Sequence, residues 1–132
     1  MKGYHKNIED ATLNNTDFRR VDYTAHYMQM VLMRLKPGES IGLETHGNDQ
    51  FFRFEQGKGK VVIDDNRYDV QDGSGVIVPA GAKHNVTNTS TKDDLKLYTI
   101  YAGPHHRDGV AFAIKNAADA STEEYDGKTT EG

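Results

Sequence analysis

The chain has 132 residues, with 16 Lys plus Arg against 20 Asp plus Glu and a formal net charge of −4; it makes one domain burying roughly 65–70% of its unfolded surface, and the lack of a basic stripe argues against a nucleic-acid partner. It has no cysteine, which excludes disulfides and thiolate sites, so any metal is held by nitrogen and oxygen. No apolar run approaches the ~20 residues that span a bilayer, and no apolar signal core opens the chain, so the expectation is a cytoplasmic protein with no membrane partner.

Residues 1–17 are polar and weakly patterned, and read as an N-terminal arm packed on the domain. From Phe18 to residue 114 the chain reads as strands broken by turns. Residues 27–35 (YMQMVLMRL) form a strand stopped by Lys36-Pro37-Gly38. Met28, Met30 and Met33 also suit a helix, but no N-cap precedes them and the run is short. Residues 50–55 follow, dense in aromatics, and Gln56-Gly57 turns them. Residues 60–64 and 67–70 read as a hairpin across Asp65-Asn66. Residues 75–79, 84–88 and 95–102 complete the strands. Turn signals recur roughly every 8–12 residues, which predicts an all-β sandwich or barrel. Residues 115–132 form a C-terminal tail, with a short helix over 115–124 and a polar end expected to fray.

Two glycine-framed segments carry the chemistry. Residues 38–57 read GESIGLETHGNDQFFRFEQG and residues 73–88 read GSGVIVPAGAKHNVTN. Alternation along an extended chain puts Glu44 and His46 on one face. Gln50 follows on the next strand, and His84 arrives after Pro79 and Gly81 have turned the chain. Asn88 shares the parity of His84 and suits a hydrogen bond within the wall. Asp49 rivals Gln50 as a donor, but its parity turns it outward. The same parity sends Phe52 and Phe54 inward and Phe51 and Arg53 outward. One of Tyr98 and Tyr101 lines the interior. Taken singly, Glu44, His46 and His84 would be ordinary loop residues; their joint spacing with the glycines and the proline sets them apart.

The two segments together resemble the two-part signature of the cupin superfamily. The resemblance runs over about 85 residues, and the order LMRLKPGESIGLETH, DQFFRFEQG, VPAGAKHNVTNTS and LKLYTIYAGPHH is similar to small single-domain cupins often labelled mannose-6-phosphate isomerase-like. It implies a double-stranded β-helix, or jelly-roll barrel, with one divalent metal per chain held by Glu44, His46, Gln50 and His84. It also implies a small-molecule ligand in the barrel and a homodimer. Two ligand identities depart from the common set: Glu44 stands in place of His, and Gln50 in place of Glu. Gln50 either binds the ion or hydrogen-bonds a group that does. The remaining two imidazoles and one carboxylate suit Fe, with Mn, Ni and Zn also compatible, and leave open positions for water or substrate.

His105 and His106, in GPHHRDG, follow Gly103-Pro104 and so lie in a loop. They are either solvated or folded over the barrel mouth, where a histidine with an unperturbed pKa of roughly 6.5 suits proton transfer. His5 and His26 have no evident partner and read as structural. Three functions are compatible with this pattern: a metal-dependent isomerase of a small sugar-like hydroxy-carbonyl compound, a non-haem dioxygenase, and a non-catalytic small-molecule binder.

Overall fold

Alternation of apolar and polar side chains sorts the strands into two antiparallel sheets whose apolar faces meet. The computed structural model describes residues 1–132. In chain order it contains α1 (Ile8–Asn14), β1 (Arg19–Thr24), β2 (Gln29–Leu35), β3 (Asp49–Gln56), β4 (Lys58–Ile63), β5 (Asn66–Gln71), β6 (Gly75–Val78), β7 (His84–Asn88), β8 (Leu95–Ala102), β9 (Ala111–Phe112) and α2 (Lys115–Ala120). The six-stranded sheet runs β6-β3-β8-β2-β1-β9, and the three-stranded sheet runs β5-β4-β7. This is a jelly roll with a short C-terminal helix. No helix is long and apolar enough to cross a membrane.

Inward residues of both sheets build one core. Val31, Met33, Leu35, Phe52, Phe54, Leu95 and Leu97 from the larger sheet meet Val61, Val70 and Val86 from the smaller. Phe52 and Phe54 are buried, whereas Phe51 and Arg53 lie on the outer face and are only half-buried. Of the two tyrosines, Tyr101 is inside, and Tyr98 stands outside beside Phe51. Asn88 donates to the carbonyls of Leu35 and Asp93 and so ties the wall together.

Four local expectations change. The arm contains a helix, α1, capped by Asn7, whose side chain accepts from the Asp10 N–H at 3.0 Å. It packs on β8, β3 and β2, where outward-facing Lys96 donates to the carbonyl of Leu13 at 2.6 Å. The hairpin turn is Asp64-Asp65, because Ile63 pairs with Asn66; Asp64 takes the positive φ of 50° and its carboxylate accepts from Lys83 N. The helix at the tail stops at Ala120, since Ser121 is extended. The last eight residues are tied back to the domain: Glu131 accepts from the N–H groups of Lys2 and Gly3 and from the hydroxyl of Tyr23, and Thr130 N bonds Thr24 O at 2.9 Å.

Candidate metal centre

The segment carrying Glu44 and His46 is extended but forms no regular strand. It is joined to β7 at two single bridges, Ser40 with Thr87 and Glu44 with His84. Gly42 breaks the ladder with a φ of 115°, outside the range an L residue adopts easily. Its N–H is instead satisfied by the side chain of Asn85 at 2.9 Å. At the second bridge Glu44 and His84 exchange both backbone hydrogen bonds, each 2.9 Å. Residues paired this way project side chains to the same face, and His46, two residues on, shares it. The donor atoms of Glu44, His46 and His84 lie within 4.8 Å of one another, a cluster that could hold one metal ion.

Both imidazoles are oriented by one nitrogen and left open at the other. His84 Nδ1 lies 3.0 Å from the carbonyl of Ala82, which makes it the N–H and leaves a lone pair on Nε2. His46 Nε2 lies 3.0 Å from Gln50 Oε1, and its N–H donates to that oxygen. His46 Nδ1 and His84 Nε2 are buried with no hydrogen-bond partner. Buried polar atoms are seldom left unpaired, and two imidazole lone pairs beside a carboxylate are a donor set a divalent cation satisfies. The residues present therefore fit a metal. Burial and the neighbouring His84 lower the pKa of His46, against the opposing pull of Gln50 and Glu44.

Gln50 is buried in β3, its amide nitrogen donating to Thr99 Oγ1 at 2.8 Å. Asp49 is exposed and its carboxylate accepts from Ala80 N at 2.8 Å. The aromatic rings pack against one another: those of His46 and His84 meet edge to face at 4.9 Å, and Tyr101 lies 5.6 Å from His46.

The His105–His106 loop is folded over the barrel mouth. The His105 ring lies 4.9 Å from that of His46 and stacks on Tyr101 at 5.0 Å. Burial first, then His106 and His46, push its pKa down to about 4. His106 is buried, donates from Nδ1 to Glu123 Oε1 at 2.7 Å, and presents Nε2 to the Tyr101 hydroxyl at 3.3 Å. Burial raises the Tyr101 pKa well above the usual phenol range, so its hydroxyl stays a donor. Burial opposes ionisation of Glu123, but hydrogen bonds from His106 and Arg107 N outweigh it and hold its carboxyl below the ordinary range. His5 and His26 are exposed and neither joins the metal cluster.

The structure adds residues that motif reading did not single out: Arg19, Gln29, Thr99 and Glu123. Arg19 lines the small cavity beside Glu44, Gln50, His84 and Tyr101. Gln29 is fully buried and holds the loop, accepting from His105 N and His106 N and donating to His106 O.

Comparison with known proteins follows the same pattern. The family model described as Cupin domain matches residues 31–101. The chain is 44% identical over 127 residues to the uncharacterized protein YrkC of Bacillus subtilis, covering 91% of this chain and 68% of that protein. Among solved structures, BH2720 from Bacillus halodurans is 40% identical with a TM-score of 0.88, covering 91% of this chain and 96% of that one. A cupin superfamily protein from Desulfitobacterium hafniense is 21% identical with a TM-score of 0.61, covering 67% and 79%, and shares the fold.

Proposed function

We propose that this chain, which belongs to the cupin family, is a metal-dependent isomerase of a small sugar-like hydroxy-carbonyl compound, with the ion held by Glu44, His46 and His84. The observation that carries the metal is the pair of buried, unpartnered nitrogens, His46 Nδ1 and His84 Nε2, beside the Glu44 carboxylate. A bound Fe, Mn, Ni or Zn ion supplies Lewis-acid polarisation of a carbonyl oxygen. Gln50 already gives its oxygen to His46 and its nitrogen to Thr99, so its role is to position His46. Glu44, as a ligand, is a poor base.

His105 is the best placed proton carrier. Its depressed pKa keeps it neutral at physiological pH, and its ring sits against that of His46. A neutral imidazole would accept the proton from the carbon bearing the hydroxyl and return it to the former carbonyl carbon, while the hydroxyl proton passes to the former carbonyl oxygen through the enediol. The ligand set itself also suits oxygen chemistry.

The test is anaerobic turnover of small hydroxy-aldehydes by Mn- or Zn-loaded protein, with His84→Ala as control. Interconversion lost in the variant supports the isomerase. Substrate-dependent oxygen uptake by Fe-loaded protein, also lost in His84→Ala, would replace it with the dioxygenase. Binding with neither uptake nor product would leave a non-catalytic binder. We further infer a homodimer, supported by the outer row of Ile77, Phe51 and Ile100 across β6, β3 and β8, where Ile77 is 69% exposed.

A further inference from the structure

Arg19 is the one Lys or Arg lining the cavity of the candidate metal centre, and it has no anionic or hydrogen-bonding partner. Burial along β1 alternates so that Arg19 and Val21 face inward while Arg20 faces out. Arg19 pairs in register with Met33, which continues to Leu97 and Phe54, so its neighbours are core apolar residues. It is only 8% exposed. Its guanidinium lies 5.5 Å from the ring of Phe18, which offers no acceptor.

Arginines elsewhere on the sheet are paired. Arg20 meets Asp17, Arg34 meets Asp94 and Arg53 meets Glu55. None of the ion pairs includes Arg19, and it donates no side-chain hydrogen bond. Two carboxylates are near it. Glu44 lines the same cavity but belongs to the metal cluster. Glu123 feels the Arg19 charge, but its oxygens are taken by His106 Nδ1 and Arg107 N. A guanidinium stays charged at any pH of interest, and enclosing a charge this far without an anion is costly, although its nitrogens are not among the fully buried unpartnered atoms. Long charged side chains are almost never this buried without a partner.

We propose that Arg19 binds a carboxylate of the substrate, which makes that substrate a small hydroxy-carbonyl acid; this rests on the metal reading of Glu44, His46 and His84. The planar fork of a guanidinium matches a carboxylate with two parallel N–H···O bonds. A phosphate group, with up to two charges, is usually met by several basic side chains or by a set of backbone N–H groups, and Arg19 is the one basic side chain other than His84 lining this cavity. The cavity as it stands, about 10 Å³, holds about one water, so a carboxylate reaches Arg19 only if the side chains lining the cavity move aside.

The experiment is calorimetric titration of the full chain, with and without Mn(II), against glycolate, its neutral counterpart glycolamide, and inorganic phosphate. Metal content is measured on the same samples. Glycolate is expected to bind the wild type on the order of 30-fold more tightly than glycolamide, as for a buried charge pair losing one partner. Arg19→Lys and Arg19→Gln are expected to remove that preference while keeping the metal. Equal binding of glycolate and glycolamide by metal-loaded wild type overturns the proposal without needing any variant. Phosphate binding more tightly than glycolate overturns the choice of carboxylate. Arg19-dependent glycolate binding by protein that takes up no Mn(II) would keep the anion role and sink the metal reading, so the two failures are distinguishable.

Discussion

Glu44 and His84 lie on neighbouring chain segments and trade both backbone hydrogen bonds at 2.9 Å, so two donors of the candidate centre are set by the main chain before any ion arrives. Ion binding then adds stability to a frame that already exists. Removing the ion with a chelator should lower the melting temperature without abolishing the β-sheet signal. At an ion concentration about 100-fold above Kd the stabilisation is roughly 2.7 kcal/mol, or on the order of 10 °C. A thermal melt unchanged by chelation would contradict the metal.

The variants at the cluster should separate ligands from their support. Elemental analysis is expected to find about one divalent ion per chain in the wild type and none in His46→Ala or His84→Ala. Gln50→Ala should keep an ion with affinity weakened about 10- to 100-fold, the usual effect of removing a partner that orients a ligand. Gln50→Glu should bind at least as tightly as wild type. Complete loss in Gln50→Ala would make the amide a ligand.

Acid should loosen the clasp between Glu123 and His106. The folded carboxyl titrates below its ordinary value of 4.5, so its contribution is present above that pH and is lost as the pH falls through the folded value. The stability advantage of wild type over Glu123→Gln should therefore be full at neutral pH and shrink below about 4.5. Melting curves across that range check it; an advantage that stays constant into strong acid would refute the clasp.

Gly59 has no room for a methyl group. A Cβ there would meet the carbonyl oxygen of Thr87 at 2.8 Å and Leu95 Cδ2 at 2.9 Å. Gly59→Ala should cost about 1–3 kcal/mol through overpacking between β4 and its neighbours. Gly47→Ala meets nothing within 4 Å and should stay within about 0.5 kcal/mol. Urea denaturation midpoints compare the two directly.

Light scattering should give twice the chain mass of 14.7 kDa at micromolar concentration. Ile77→Asp, on the exposed end of the Ile77–Phe51–Ile100 row, should shift the protein to monomer while leaving metal content unchanged. A monomeric wild type would leave that apolar row without the partner assigned to it.

The strands were legible because glycine, proline and period-2 alternation act over a few residues. Residues 84–88 and 95–102 emerged with their observed bounds, and the spacing of Glu44, His46 and His84 marked the cluster. What escaped depends on long-range packing or on too few residues. The helix α1 spans only seven residues, too few for a periodic signal; Asn7 with acidic Glu9 and Asp10 was the one cue. Arg19 and Arg20 are equivalent in sequence, and only the pairing of β1 with β2, with its shift between Val21 and Tyr23, decides which enters the barrel. The docking of His105 and His106 depends on Gln29, far earlier in the chain, and no local pattern announces it.

Gln29 makes a further mark on how the barrel mouth behaves in time. Its one carboxamide takes the N–H groups of both His105 and His106 and returns a bond to the His106 carbonyl, from a side chain closed to solvent. Irregular loops ordinarily surrender their amide protons to deuterium early, because little has to open. Here those two protons can leave only when Gln29 lets go, and Gln29 opens β2, an interior strand of the larger sheet, where it pairs with Thr24 of β1 and Tyr101 of β8. The loop over the site should thus exchange on the clock of the sheet rather than that of the surface.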